Sequence, residues 1–476
     1  MLLAAIPVEL RAQTAGTEAG DRIGAEATQP VGQRDGANSD DRAAPPALPS
    51  SLETQSRYDY NSEVVDQALD RYAAGLPVVS DHGSAPGMRG TPVRDRRHPE
   101  YAAPGLQLGS WKLSAQAGAS VSYDSNVLRD ADLDSKGDFY SRAFAVAGIA
   151  SDWGRHSLGL SANFSHRFYG TYASKDGSEY SVDASGRLDV AQRSDLTLDA
   201  RHSREIVEPF RSGGITGLLT QVRFDEDEVE GGGTFRGGRV ELGGSAMLGR
   251  RRYVDAITVA GDRLDQSYRD YDRMRLEASA AYLLTGANAV FLSYTRDRRR
   301  YTNSIASVSP DVTTQELIGG IRGEITPLIR GQIGIGVLRS DYDDPALPTT
   351  TVLGLNSKIT WLPTELTTVT LLGVREQEGS VRQSDGGYIA TRFRAQVDHE
   401  LLRNLLLLGQ LEYEHDDYRA TSRIDDIYRV TLGADWSVDH HLRNNIRIGV
   451  GRRSSNALAR DSLSEFRITL GTGYAF

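Results

Sequence analysis

Residues that commonly carry out chemistry are present in this chain, but their spacing matches no known catalytic motif. Two adjacent histidines, His440 and His441, lie in the stretch DHHL, and histidine is a frequent metal ligand and proton carrier. The chain has no HExxH or GxSxG motif. It also has no Cys, which argues against thiol catalysts, thiolate metal sites and disulfides. Because histidines at a turn are more often inert than ligating, we predict no enzyme, no cofactor and no metal site.

A glycine-rich stretch, GGGTFRGG, is the second candidate for a chemical site. Loops that bind phosphates lead into a helix, whose N-terminal N–H groups complete the site. Here the stretch lies between a predicted strand and a turn, with no helical pattern after it. We therefore predict no nucleotide-binding site at this position.

Composition limits the partners of the chain. It has 476 residues, of which 39% are hydrophobic and 25% are charged, with a net charge of −10. Arginine is abundant, but it alternates with Asp and Glu instead of forming a basic face, so no nucleic-acid partner is expected. No run of about 18 apolar residues is present, which argues against a transmembrane helix.

The elements that position the charged residues alternate with a period of two from Trp111 onward. In WKLSAQAGASVSY, apolar or small residues from Leu113 to Tyr123 occupy one face, and polar residues occupy the other. This period predicts β-strands with one apolar face. The same alternation reaches the end of the sequence, SEFRITLGTGYAF. Its apolar face carries Phe466, Ile468, Leu470, Tyr474 and Phe476.

Strand length and the connections between strands predict the fold class. The alternating runs extend over about 10 to 16 residues, whereas globular strands average about 5 or 6. Their connections alternate between short turns such as FRGGR and long loops such as RYVDAITVAGDRLDQS. This combination is typical of an outer-membrane barrel with short periplasmic turns. We predict an all-β protein, a transmembrane antiparallel up-and-down β-barrel of about 18 strands with a disordered N-terminal arm.

Two domains follow from the change in composition near residue 105. Residues 1–105 are predicted to be a mostly disordered N-terminal arm, because their Ala-, Gly-, Pro- and charge-rich sequence buries little apolar surface. We interpret MLLAAIPVELRAQ as a signal remnant or a misassigned start, and otherwise as the first part of the arm. A short helix is expected near residues 61–74. Residues 106–476 are predicted to form the outer-membrane β-barrel.

Charged residues on the polar face of the strands are the candidate functional residues. We predict that the following side chains line the lumen: Arg167, Arg187, Arg201, Arg273, Arg275, Arg322, Arg392, Arg394, Arg429, Arg447, Arg467, Asp183, Asp189, Glu277, Glu412, Glu414 and Asp435. They either pair across strands and stiffen the wall, or they form a hydrated channel of mixed charge that passes an anionic polymer without tight binding.

The segment GLQLGSWKLSAQAGASVSYDSNVLRD, residues 105–130, resembles the first strand of the β-barrel porin family associated with exopolysaccharide export clusters. The residues that match are Gly105, Gly109, Ser110, Trp111, Tyr123, Asp124, Asn126 and Val127. The resemblance implies an outer-membrane pore that acts with a periplasmic polysaccharide-export protein and has no catalytic residues. The final strand likewise resembles the C-terminal assembly signal that the barrel-assembly machinery of bacteria recognises.

Three functions therefore stand as hypotheses for a protein of the bacterial outer membrane. The first is export of a polysaccharide substrate, an exopolysaccharide, together with the periplasmic partner. The second is a general or sugar-selective diffusion porin, and the third is a non-conducting surface barrel. Outer-membrane lipid and lipopolysaccharide are further expected partners. The basic stretch RDRRRY, from Arg296 to Tyr301, is placed at the head of a long loop, where it faces lipopolysaccharide phosphates or the emerging polymer.

Overall fold

The structure, a computed structural model, describes most of the chain after residue 89. The described residues are 90–96, 98–129, 135–191, 193–207, 210, 218–285, 288–303, 309–380, 386–457 and 462–476. The expected signal remnant and the expected helix at 61–74 lie outside them. Within the described residues, no helix is long and apolar enough to cross a bilayer.

Long antiparallel strands make up nearly all of the described structure. The eighteen barrel strands are β2 (Trp111–Asp124), β3 (Asp138–Ser151), β4 (Ser157–Tyr169), β5 (Gly177–Ala191), β6 (Ser194–Ile206), β7 (Arg223–Gly237), β8 (Val240–Val254), β11 (Tyr271–Leu283), β12 (Ala289–Tyr301), β13 (Val312–Thr326), β14 (Ile329–Tyr342), β15 (Thr350–Thr364), β16 (Thr367–Gly379), β17 (Gly387–Leu402), β18 (Leu405–Tyr418), β19 (Arg423–Ser437), β20 (Leu442–Ser455) and β21 (Leu463–Ala475). Three shorter strands accompany them: β1 (Leu106–Leu108), β9 (Ala256–Ile257) and β10 (Arg263–Leu264).

The barrel strands form a closed ring. Each pairs with its neighbours along the chain, and β2 pairs with β21 from Gln116 opposite Ala475 to Asp124 opposite Arg467. Closure gives the strand edges backbone partners, which lipid does not offer. The predicted all-β barrel of about 18 strands is confirmed.

The two faces of the barrel strands differ in polarity. Large apolar side chains are solvent-accessible on the outer face: Leu248 and Phe139 are each 62% exposed. Charged side chains are buried on the other face, where Asp416 and Asp425 are fully buried. This arrangement is the inverse of a soluble protein and places an apolar surface toward lipid.

Links between strands are short at one end of the barrel and mostly long at the other. The links 238–239, 327–328 and 403–404 lie at the short end, whereas 207–222 and 255–270 lie at the long end. Outer-membrane barrels place short turns in the periplasm and long loops outside the cell. The start of β2 and the end of β21 therefore lie at the periplasmic end.

The glycines of the sequence segment 105–130 serve the hairpin of β1 and β2. Gly105 and Gly109 have φ values of +66° and +62°, which side chains rarely allow. A Cβ on Gly105 would also lie 2.8 Å from the carbonyl oxygen of Leu113. The hairpin delivers Trp111 to the periplasmic rim, where its ring meets that of Trp153 with centroids 5.3 Å apart.

The Tyr-Asp-x-Asn-Val residues at the other end of β2 join the first strand to the last. Asp124 accepts a hydrogen bond from the backbone N–H of Asn126 at 2.9 Å. The fully buried side chain of Asn126 donates to the carbonyl oxygen of Ser464, near the start of β21. The motif thus stabilises the closure of the ring at its extracellular end.

Candidate functional site

The inner face of the barrel carries every residue predicted to line the lumen. On each strand these residues have the parity opposite to that of the exposed apolar side chains: Arg392 and Arg394 of β17, for example, alternate with Phe393, which is 47% exposed. The alternation of the sequence was sufficient to place them. Their contact with a transported molecule stays a prediction.

Ion pairs connect the inner-face charges of β4, β5 and β6. Arg167 lies 2.9 Å from Glu179, and Arg201 lies 3.0 Å from Asp183. Arg187 pairs with Asp189 two residues further along β5, at 2.9 Å. These carboxylates are close enough to neutralise each arginine locally.

The pairing continues across β16 to β19. Arg392 contacts Glu376, and it also contacts Glu414 at 2.9 Å. Glu412 lies between Arg394 at 2.9 Å and Arg429 at 3.6 Å. Arg392, Arg394 and Arg429 are each less than 10% exposed, so their side chains lie along the wall and do not extend across the lumen.

The remaining predicted residues pair in the same manner. Arg447 lies 2.5 Å from Asp435 and Arg467 lies 3.0 Å from Asp124. Arg322 of β13 reaches Glu241 of β8 at 2.7 Å, past the two strands between them. On β11, Arg273 pairs with Asp297, and Arg275 pairs with Glu277 at 3.4 Å. Both open alternatives of the sequence analysis are therefore compatible with this wall, since the charges stiffen it and also keep it polar.

A few of these charged groups remain accessible. The side chains of Arg187 and Arg275 are 39% and 28% exposed, and those of Asp183 and Glu277 are 31% and 30% exposed. All four belong to β5 and β11. This side of the wall offers its charges to the lumen, whereas the β16–β19 side does not.

A described part of the N-terminal arm lies inside the periplasmic mouth. We call residues 90–96 the strap. The backbone N–H of Val93 donates to Thr368 Oγ1 at 2.9 Å, and Arg94 lies 2.7 Å from Asp398. Arg96 contacts Glu400 at 3.2 Å. These partners occupy the inner face of β16 and β17, so the strap narrows the opening at this end.

The strap also changes the ionisation of one of its own groups. Burial raises the pKa of Asp95 above its ordinary value, although Arg330 and Lys358 act in the opposite direction. The desolvation of the carboxylate therefore outweighs its attraction to the two cations. The strap is held by Arg94 and Arg96, and an ionised Asp95 opposes its docking.

A second segment reaches the inner wall from the long link between β6 and β7. Phe210 is fully buried and packs with Ile427 and Leu463 on the inner face of β19 and β21. The guanidinium of Arg429 lies 5.0 Å from the centre of the Phe210 ring. β2, β3, β4 and β5 separate β6 from β21, so Phe210 lies well away from the strand that precedes it in the chain. The sequence analysis did not single out Phe210.

Aromatic rings form an inner layer at the extracellular end, which the sequence analysis also missed. The layer contains Tyr140, Tyr169, Phe224, Tyr253, Tyr271, Tyr301, Tyr342, Tyr388 and Tyr418. Neighbouring rings pair across strands, with centroids 5.0 Å apart for Tyr140 and Tyr169 and 4.8 Å apart for Tyr388 and Tyr418. The sequence could have predicted this layer, because each of these aromatic residues lies at or near a strand end and has the parity of the inner face. The buried rings pack at the base of the loops and stabilise the mouth.

His441, at the periplasmic turn, packs against the last strand. The Nδ1 atom of His441 lies 2.7 Å from the carbonyl oxygen of Ala475, and its ring stacks on Tyr474 with centroids 5.1 Å apart. Among the described residues, no group of three or more His, Asp or Glu side chains is arranged to hold a metal ion.

The predicted assembly residues lie on the last strand, beside the first. The backbone of Phe476 exchanges two hydrogen bonds with Ala115, at 3.0 and 3.2 Å. Phe466, Leu470, Tyr474 and Phe476 are all exposed on the outer face, and Ile468 of the same face is partly buried. Recognition of this strand by an assembly machinery stays a prediction.

Comparison with known families matches residues 98–473 to the family described as "Putative beta-barrel porin 2". The chain belongs to this family. It is a porin-like β-barrel protein of the bacterial outer membrane. No curated protein matches the porin.

Among solved structures, the porin is similar to OccK2 (OpdF) of Pseudomonas aeruginosa, with 11% identity and a TM-score of 0.44, over 78% of this chain and 98% of that one. OpdO of Pseudomonas aeruginosa shows 13% identity and a TM-score of 0.41, over 76% and 97%. The copper transporter OprC shows 9% identity and a TM-score of 0.42, over 78% and 82%.

Proposed function

We propose that the porin exports an exopolysaccharide across the outer membrane and acts together with a periplasmic polysaccharide-export protein. The observation that carries this proposal is the mixed-charge inner wall, whose charges are paired on β16 to β19 and accessible on β5 and β11. Arg394, Glu412 and Arg429 form one continuous group of ion pairs in this wall. The proposal concerns transport, with no catalytic role for the porin.

The pairing suits a long polar substrate. A paired guanidinium keeps N–H groups that can donate hydrogen bonds, while its partner carboxylate cancels most of its net charge. Transport requires contacts that are favourable enough to admit the substrate and weak enough to release it. Accessible charges on β5 and β11, such as Arg275 and Glu277, add weak sites of both signs along the path.

The periplasmic partner is proposed to bind at the short-turn mouth. The strap lies in this mouth, and residues 1–89, which precede it in the sequence, are the segment that we propose for binding the partner. We also propose that the barrel-assembly machinery recognises the last strand, where Phe476 is 53% exposed beside the start of β2.

Deletion of the gene in its native host tests export. We expect polymer to disappear from the medium and to accumulate in the periplasm, and a plasmid copy should restore secretion. A copy with R187E and R275E should secrete an anionic polymer more slowly, because both side chains are accessible in the lumen. The matched control is R204E and R339E, which change exposed arginines of the outer face. Unchanged secretion in the deletion strain would refute export.

Solute diffusion is the second candidate, and one observation favours it. Phe210 lies against the inner face of β19 and β21, and diffusion porins commonly narrow their lumen with an inward-folded loop. Uptake of small sugars by the same deletion strain separates the two functions. Reduced uptake with normal polymer secretion supports diffusion. A lack of conductance by the purified porin in planar bilayers would instead support a non-conducting surface barrel.

A further inference from the structure

The arginines of RDRRRY do not lie at the head of a loop, as the sequence analysis expected. They belong to β12, which extends to Tyr301. Arg296, Arg298 and Arg300 share the parity of Leu292, which is 52% exposed on the outer face. These arginines therefore face the membrane near its extracellular boundary.

Neighbouring strands add to this surface. On β8, Arg250 and Arg252 have the parity of the exposed Leu248. Asp272 of β11 lies between Arg250 and Arg300 in the strand register, so the two arginines lie roughly 10 Å apart across one row. We call Arg250, Arg252, Arg296, Arg298 and Arg300, together with Asp272 and Asp343, the outer basic patch.

The outer basic patch has an excess of positive charge. Asp272 contacts Arg252 at 2.6 Å and Arg250 at 3.5 Å, and Asp343 contacts Arg298 at 2.5 Å. Within the patch two carboxylates face five arginines, and on β7 Asp227 and Asp225 lie opposite Arg250 and Arg252 in the strand register. The positive excess is therefore concentrated on β12. Among the residues that the structure describes, neither Arg296 nor Arg300 forms an ion pair, and both are exposed.

Other outer-face arginines at similar height are locally neutralised. Arg204 binds both carboxylate oxygens of Asp225, at 2.6 and 2.8 Å. Arg339 likewise pairs with Asp341 at 2.9 Å. Arg296 and Arg300 of β12 differ from them, because neither has a carboxylate partner among the described residues.

Apolar side chains border the patch on its membrane side. Leu248 lies below Arg250 on β8, and Tyr294 and Leu292 lie below Arg296 on β12, all with exposed side chains. On β11 the exposed Met274 and Leu276 lie opposite Arg298 and Arg296 in the strand register. A ligand that fits this surface needs phosphates for the guanidinium groups and acyl chains for the apolar side chains. We propose that the outer basic patch binds the phosphorylated lipid portion of lipopolysaccharide in the outer leaflet. This inference is independent of what crosses the lumen.

The test compares two triple variants of the purified, detergent-solubilised porin. R250Q/R296Q/R300Q removes charge from the patch, and R339Q/R375Q/R452Q removes the same charge from the outer face elsewhere. Each is titrated with bisphosphorylated lipid A, and bound lipid is counted by native mass spectrometry. We expect the patch variant to lose affinity by about tenfold or more and the control variant by less than about twofold. Equal losses would overturn the proposal.

Further binding measurements identify which phosphorylated ligand the patch recognises. Dephosphorylated lipid A should bind wild type and the patch variant with equal affinity. If its affinity for the patch variant is instead reduced as much as that of bisphosphorylated lipid A, phosphate recognition is refuted. Displacement of lipid A by inorganic phosphate, or by a soluble anionic polysaccharide, at equal concentration would assign the site to that ligand and overturn the lipid assignment. The charge-conserving variant R250K/R296K/R300K should retain binding. It keeps the test valid if the glutamine variant fails to fold.

Discussion

Asp124 of the first barrel strand and Arg467 of the last strand face each other across the closing seam, with a side-chain distance of 3.0 Å. Asp124 also binds Arg129 at 2.8 Å. The Asp124 side chain is only 4% exposed, so water does not replace these contacts when one is lost. The seam is therefore fixed by buried charges as well as by backbone hydrogen bonds.

Replacing Asp124 should destabilise the closed barrel. D124N removes one of the two carboxylates that Arg129 and Arg467 share, Glu465 being the other, and we expect the free energy of unfolding to fall by about 1.5–3 kcal/mol. Urea unfolding in lipid vesicles, followed by the mobility of folded and unfolded porin in gels, measures the change. The matched control is D341N, which breaks an exposed outer-face pair and should cost about 1 kcal/mol or less. Equal effects of the two variants would contradict a special role for the seam.

Releasing the strap should widen the periplasmic mouth. R94Q/R96Q removes the ion pairs with Asp398 and Glu400 and leaves the barrel strands unchanged. We expect single-channel conductance in planar bilayers to rise by about twofold or more, because a pore's conductance follows its narrowest section. R403Q is the control, since Arg403 lies on the same rim and is 74% exposed. Conductance equal to that of wild type would show that the strap does not limit the path.

The ionisation of Asp95 should tune how firmly the strap docks. Burial raises its pKa in the docked state, so protonation favours docking and this contribution is lost as the pH rises through the docked pKa. D95N should therefore conduct less than wild type at neutral pH, and the difference should shrink as the pH falls toward the docked pKa. Arg94, Arg330, Lys358 and Asp398 also face Asp95, and the comparison with D95N separates its titration from theirs.

Two variants serve as controls for this conductance measurement. E100Q changes an exposed carboxylate just after the strap and should leave the conductance at each pH as in wild type. D95N in the R94Q/R96Q background should have little effect, because the strap is already released. A difference between D95N and wild type that grows toward acid pH would reverse the assigned sign.

A methyl group on Gly451 should displace Phe210 from the inner wall. A Cβ at this position would lie 2.6 Å from Cζ of Phe210. We expect G451A to raise conductance by less than release of the strap does, about 1.5-fold, as Phe210 leaves the inner wall. G449A is a closely matched control on the same face of β20, where the nearest atom to a Cβ is 3.8 Å away. F210A should reproduce the effect of G451A, and similar conductance in G451A and G449A would contradict the anchor.

The alternation of residues made the strands and their two faces predictable. From Phe466 to Phe476, for example, each side chain has one of only two directions, and the closed ring then fixes which is lipid-facing. Arg392 and Glu414, for example, share the parity opposite to that of the exposed Phe393 and Leu411. Local periodicity is sufficient because a strand repeats after two residues.

No periodic pattern in the sequence predicted the contacts of the strap or of Phe210. Arg94 and Asp398 are separated by 304 residues, and the sequence around Arg94 has the composition of a polar arm. Phe210 is one aromatic residue in an otherwise irregular link, so no repeat indicates its contact with Leu463. The loop placement of Arg296 was wrong for a related reason: polar residues on the outer face near the membrane boundary resemble a loop. Contacts between distant segments depend on tertiary structure, which periodicity does not encode.

The distribution of tryptophan gives the porin a built-in optical marker. Its four tryptophans are Trp111, Trp153, Trp361 and Trp436, and all lie at the short-turn end of the barrel. Trp361 and Trp436 are 44% and 48% exposed on the outer face, where interfacial aromatic rings meet lipid headgroups. Selectively excited tryptophan fluorescence therefore originates at a single rim. Quenchers placed at known depths in the bilayer would report when that rim crosses the membrane during insertion, without any attached dye.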